Sequence, residues 1–140
     1  MATSLSQNNI SSVTTKFVLV VDDDVDIRET VTGALQEEGY EVASAGNGRE
    51  ALAYLQSPGA KRPHLILLDL MMPIMSGSEF RAAQEADPSL SAIPVVLVSA
   101  SGDVSARADS MRVAGVVRKP LSLDILIDHV ERCSHRSKPS

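Results

Sequence analysis

The sequence predicts an α/β fold: a doubly wound parallel sheet of five strands with five helices. Two observations carry this. Three short apolar runs, Phe17-Val18-Leu19-Val20-Val21, Leu65-Ile66-Leu67-Leu68 and Val95-Val96-Leu97-Val98, are continuous rather than alternating, as in strands covered on both faces. Segments with apolar residues at helical spacing separate and follow them, so strand and helix alternate along the chain.

Taken in order, the first strand is Phe17 to Val21. Ile27, Val31, Ala34 and Leu35 then repeat at helical spacing, and Gly39 can end that helix. Tyr40 to Ala45 is a weaker, alternating strand nearer an edge. Ala51, Leu52 and Leu55 mark a second helix that stops near Pro58. After the strand at Leu65 to Leu68, a third helix runs from about Ser78 to Ala86 and stops before Pro88. The strand at Val95 to Val98 precedes a fourth helix, Val104 to Arg112, with Gly115 beyond it. Val116-Val117 is the last and shortest strand. Ser122 is the expected N-cap of a fifth helix carrying Leu123, Leu126, Ile127 and Val130. Short right-handed crossovers wind these units into one sheet. Residues 1–15, rich in Ser, Thr and Asn, read as a flexible tail, residues 16–132 as the single domain and 133–140 as a C-terminal tail.

Composition narrows the possibilities. The 140 residues suit one domain. With 44% hydrophobic residues a core can form, and with 3% aromatics and no Trp it is built from Val, Leu, Ile, Ala and Met. Base-stacking platforms are not expected, and no basic stripe favours direct DNA binding. The net charge is −5, and much of the acidity is local: Asp22, Asp23, Asp24 and Asp26 lie almost side by side. Cys133 is the only cysteine, which excludes intramolecular disulfides and cysteine zinc sites and fits a reducing cytosol. No apolar run reaches membrane-spanning length, and the N-terminus lacks the charged start and apolar core of a secretory signal.

In open α/β sheets ligands bind beyond the carboxyl ends of the strands. Asp22 and Asp23 follow the first strand, Asp69 the third, Ser99 the fourth and Lys119 the fifth. The second ends in Gly46-Asn47-Gly48, without a reactive group. Three clustered carboxylates repel one another, and a hard divalent cation such as Mg²⁺ relieves the conflict. The first and third strands must then be neighbours, roughly 4.8 Å apart, while Lys119 lies roughly 10 Å from Asp69 and bridges the gap by its length. Asp24 and Asp26 read instead as a cap and first-turn charge for the helix that follows.

Four stretches, Val18 to Asp23, Leu67 to Pro73 with Gly77 four further on, Val96 to Ala100, and Arg118-Lys119-Pro120, together resemble the receiver domain of two-component response regulators over about residues 16–132. The resemblance implies a flavodoxin-like strand order of 2-1-3-4-5 and a set of roles. Asp69 would be the phosphoacceptor, forming a 4-aspartylphosphate. Mg²⁺, or Mn²⁺, would be held by Asp23 directly, by Asp22 mostly through water, by Asp69 and by the carbonyl of Met71. Ser99 would hydrogen-bond a phosphoryl oxygen. Lys119 would pair first with Asp69 and then with the phosphoryl group, and Lys119-Pro120 would be a cis peptide. The donor would be a sensor histidine kinase or histidine phosphotransfer protein docking on the first helix and near Pro120. The output would be a downstream protein or an output domain, reached through the fourth helix, fifth strand and fifth helix, with some of Val104, Arg107, Met111, Arg118, Ile125 and His129. A cytoplasmic phosphoprotein is implied, monomeric or dimerising on phosphorylation, with no membrane and no direct nucleic-acid contact.

The sequence departs from the family pattern in places. Val116 stands where the family has an inward-turning aromatic, and Leu121 where an aromatic follows the Lys-Pro pair. Met71 and Ser101, at the two positions that tune dephosphorylation, are neither acidic nor amide-bearing, which implies slow self-hydrolysis. Ala100 leaves access to the site open. Met71 also argues against a phosphatase with an aspartyl nucleophile, which needs an acid two residues after it. The acidic first loop and scarce aromatics disfavour a flavin site. A non-phosphorylated interaction module is the remaining alternative. His64, His129 and His135 are scattered and read as surface or boundary residues, and Cys133 as a passive or partly exposed thiol.

Overall fold

The computed structural model describes residues 16–100, 104–119 and 122–136. Five strands and five helices alternate: β1 (Phe17–Val21), α1 (Val25–Glu37), β2 (Glu41–Ala45), α2 (Gly48–Gln56), β3 (Leu65–Asp69), α3 (Gly77–Ala86), β4 (Val95–Ser99), α4 (Val104–Met111), β5 (Gly115–Arg118) and α5 (Leu123–Arg136). All strand pairs are parallel and the sheet order is β2-β1-β3-β4-β5. This is the expected doubly wound sheet, 2-1-3-4-5. The expected tail at 1–15 and the last four residues of the tail expected at 133–140 lie outside the described residues, while residues 133–136 continue the last helix.

The three continuous apolar runs are the three central strands, buried at every position. Alternation divides each between two cores. Leu19, Val21, Ile66, Leu68, Val95 and Leu97 pack with Ala51, Phe80 and Met111 on the face covered by α2, α3 and α4. Val18, Val20, Leu65, Leu67, Val96 and Val98 pack with Val31, Leu35, Leu126 and Val130 on the face covered by α1 and α5. The edge strand β2 is half-exposed, which accounts for its weaker pattern.

Helix boundaries follow local chemistry. Asp24 caps α1, its carboxylate accepting from Ile27 N, and Asp26 lies in the first turn. Gly39, at φ 94°, supplies the left-handed turn that ends this unit. Ser122 Oγ accepts from Ile125 N at 3.4 Å at the start of α5. That helix runs past residue 132 to Arg136 and buries Cys133 against the α1–α5 core. The expectation of a partly exposed thiol is thereby corrected: Val130 and Cys133, one turn apart, continue the apolar stripe. The expected exposed role of Met111 is corrected too. As the last residue of α4 it turns inward, buried, and its Sδ accepts from Ser78 Oγ at 3.8 Å.

Candidate functional site

The sheet register assembles the site. Val21 faces Leu68, so Asp22 and Asp69 leave adjacent strands side by side. Asp69 faces Val98, Ser99 faces Arg118, and Lys119 follows at once. Asp22, Asp69 and Ser99 are 3%, 5% and 1% exposed, whereas Asp23 is open to solvent. Oxygens of Asp22, Asp23 and Asp69 all lie within 4.8 Å of one another. Lys119 Nζ reaches across, 3.5 Å from Asp22 Oδ2 and 3.5 Å from Asp69 Oδ2. The backbone N–H of Asp24 donates to Asp22 Oδ1, and that of Met71 to Asp69 Oδ1.

One ammonium against three carboxylates leaves negative charge in excess. Asp69 feels it most: burial, and next the Asp22 carboxylate, push its pKa up to about 6, against the opposing pull of Lys119 and the Met71 N–H. A site of oxygen donors, partly buried and short of positive charge, fits a hard divalent cation. The donors brought together are the three aspartates.

Glycines and caps hold this geometry. A Cβ on Gly77 would stand 2.5 Å from Asp69 O and 2.9 Å from Leu70 Cα, so only glycine lets α3 begin against the end of β3. Ser76 and Glu79 form a reciprocal capping box there. Gly48, in the stretch without a reactive group, seats the same loop: its N–H donates to Met75 O, and a Cβ would meet Met75 Cγ at 2.8 Å. Arg28 Nη1 donates to Asp22 O at 2.7 Å, tying the acidic loop to α1. Motif spacing marked Gly77; nothing in the sequence pattern marked Gly48 or Arg28.

The loop after β3 also carries strain and an apolar rim. Ile74 adopts φ 68°, a left-handed conformation that a β-branched residue disfavours. Its side chain and that of Met71 are each 67% exposed. Among the histidines, His64 Nδ1 accepts from Phe17 N at 3.0 Å and so secures the start of β1, while His129 abuts Gly115. Ser101, Pro120, Leu121, the side chains of Val104, Arg107 and His135, and hence the expected cis peptide, lie outside the described residues.

The receiver domain of response regulators matches residues 18–131. The chain belongs to this family. As a receiver it is 32% identical over 126 residues to the phosphate regulon transcriptional regulatory protein PhoB of Pseudomonas aeruginosa, covering 89% of this chain and 54% of that protein. It is 40% identical over 86 residues to the DNA-binding response regulator MtrA of Mycobacterium tuberculosis, covering 61% of this chain and 35% of that one. The chain thus spans about half the length of the first of these relatives, or less. Among solved structures, the chemotaxis response regulator CheY4 of Vibrio cholerae superposes with a TM-score of 0.78 at 32% identity, over 86% of this chain and 99% of that one. The receiver domain of a histidine kinase from Syntrophus aciditrophicus gives 0.79 at 29% identity, over 89% and 94%. This receiver is accordingly a signalling domain of two-component systems. Among its described residues no helix is long and apolar enough to cross a membrane.

Proposed function

We propose that this receiver accepts a phosphoryl group on Asp69 from a phosphohistidine of a sensor histidine kinase or histidine phosphotransfer protein. The observation that carries the reading is the buried Asp69 carboxylate held between Asp22 and Lys119, with Asp23 at the mouth. An Asp69 oxygen attacks phosphorus in line, the P–N bond breaks, and its electron pair returns to the donor imidazole. Lys119 shifts from the carboxylate to the transferred oxygens, and Ser99 donates its hydroxyl to one of them. Asp23 and Asp69 directly, Asp22 mostly through water, and the Met71 carbonyl would hold Mg²⁺ or Mn²⁺, which would neutralise charge on the phosphoryl oxygens. Water later attacks phosphorus and restores the carboxylate. Met71 and Ser101, neither acidic nor amide-bearing, do not strongly orient that water, so self-hydrolysis is slow relative to receivers that carry such groups there. The domain turns over no other substrate.

The added charge of about −1.5 to −2 draws Ser99 and, with it, the chain entering α4. The surface of α4, β5 and α5, where Arg118 and Ile125 are exposed, then engages a downstream protein or an output domain, in the cytoplasm, as a monomer or a phosphorylation-dependent dimer. The chain itself contacts neither nucleic acid nor membrane. Intact mass after incubation with acetyl phosphate and Mg²⁺ tests the assignment. A single phosphoryl adduct, dependent on Mg²⁺ and absent in Asp69→Ala, is expected. A folded wild type with no adduct would leave a non-phosphorylated interaction module.

A further inference from the structure

We propose that Arg81, supported by Gln84, is a positioning residue that pins the C-terminal end of α4, so that this helix answers the phosphorylation site only through its N-terminal end. The proposal rests on the phosphoacceptor reading of Asp69 for its signal, but not for the pin itself.

At eight residues, α4 is too short to hold its position by helix propensity. Its last turn contains Asp109 and no basic residue, and the cation just beyond it, Arg112, is exposed and pairs with Glu85 at 3.2 Å. Its terminal hydrogen bonds are long: Arg112 N to Asp109 O at 3.4 Å and Val113 N to Ala108 O at 3.5 Å. Arg112 itself sits in the left-handed region, at φ 54°.

A buried cation at this end comes from α3. Arg81, 7% exposed, donates Nε to Met111 O and Nη2 to Arg112 O, both at 2.9 Å. The first is a carbonyl that the helix leaves unpaired at its end, and the second belongs to the residue that turns the chain out of it. Its third nitrogen, Nη1, donates to Gln84 Oε1 at 2.8 Å, and the fully buried Gln84 donates onward to Leu90 O and Ile93 O at 2.9 Å each. Glu85 lies 3.5 Å from Arg81 and 3.2 Å from Arg112. A planar guanidinium with its donors fixed in a fork is suited to bridging two successive carbonyls, whereas a lysine ammonium is not. The exit of α4 is thereby fastened to α3 and to the entry of β4. At its other end, α4 begins at Val104, five residues after Ser99, the last residue of β4.

The test is hydrogen exchange on the full chain, with and without acetyl phosphate and Mg²⁺, the adduct being checked by mass. In the wild type, phosphorylation should change exchange at amides 104–107 and leave 110–114 within about twofold. In unphosphorylated Arg81→Met, exchange at 110–114 should rise at least tenfold above wild type. On phosphorylation the change should then spread through the whole helix, while the rate of adduct formation stays within about twofold. Arg81→Lys, which keeps the charge, should fall between the two and serves if Arg81→Met does not fold. Wild-type exchange that changes equally at both ends of α4, or variants whose exchange at 110–114 matches wild type, would overturn the pin. Absence of any adduct would instead sink the phosphoacceptor reading, while the unphosphorylated comparison would still decide the pin.

Discussion

Asp69→Asn should stabilise the protein at neutral pH, by an amount the site geometry sets. The folded chain holds the Asp69 pKa at about 6, above the ordinary 3.8. Between these values the folded state binds the proton more tightly than the unfolded one. Stability associated with this group is therefore full below about pH 4 and falls as pH rises through about 6. Two pKa units correspond to at most about 3 kcal/mol, and screening by solvent at the Asp23 side of the pocket reduces this to about 1–2 kcal/mol. Asparagine removes that cost and keeps the shape. It does not strand Lys119, which retains Asp22 at 3.5 Å. Thermal unfolding without divalent cations should show Asp69→Asn about 4–8 °C more stable at pH 7.5, with the gap closing towards pH 4. An equal or lower melting temperature at pH 7.5, or a gap independent of pH, would refute the reasoning.

Four further outcomes are expected. Mg²⁺ affinity, read by titration calorimetry, should weaken as pH falls through about 6, approaching tenfold per unit below it, because the cation competes with the Asp69 proton. Gly77→Ala should destabilise by about 3 kcal/mol in urea unfolding, since its Cβ would stand 2.5 Å from a backbone oxygen. Ile74→Gly should stabilise by about 1 kcal/mol in the same assay, relieving φ 68° at an exposed side chain. Met71→Asn should shorten the lifetime of the phosphorylated form measurably while leaving stability within about 0.5 kcal/mol, since the side chain is 67% exposed; an unchanged dephosphorylation rate would count against the role given to this position.

Most of the fold was legible because the central strands are buried on both faces, which leaves their sequences continuously apolar. The acidic site was legible for a related reason. A parallel sheet delivers every strand end to one edge, so Asp22, Asp69, Ser99 and Lys119 could be placed together before any geometry was known. What escaped was chemistry written on the backbone. Arg28 acts on a carbonyl, Gly48 yields space to Met75, and Arg81 and Gln84 occupy the buried face of α3 beside Phe80 at positions where an apolar residue would be expected. A side chain that satisfies a distant main-chain oxygen leaves no periodic trace. Met111, expected on an exposed surface, is buried because α3 covers it, which the pattern of α4 alone does not show.

Strand alternation also explains how a signal must travel here. Asp69 follows Leu65 and Leu67 in parity and belongs to the α1–α5 face, as does the small apolar cavity beneath Asp22 and Asp69, lined by Val31, Val98 and Leu126. Ser99 follows Val95 and Leu97 and belongs to the opposite face, where Val116 packs beside Met111 and Ala108. Asp69 faces Val98, next to Ser99, so the end of β4 is one route from Asp69 to the α4 side. In a receiver with an aromatic at position 116, a large side chain could carry the movement onward by changing rotamer. Valine has one stiff torsion and sweeps little volume. A rotamer change at position 116 therefore carries little of the movement to α4. A helix driven from one end by its backbone gives a directed response only if the other end is held, and in this chain the Arg81 guanidinium is what holds it.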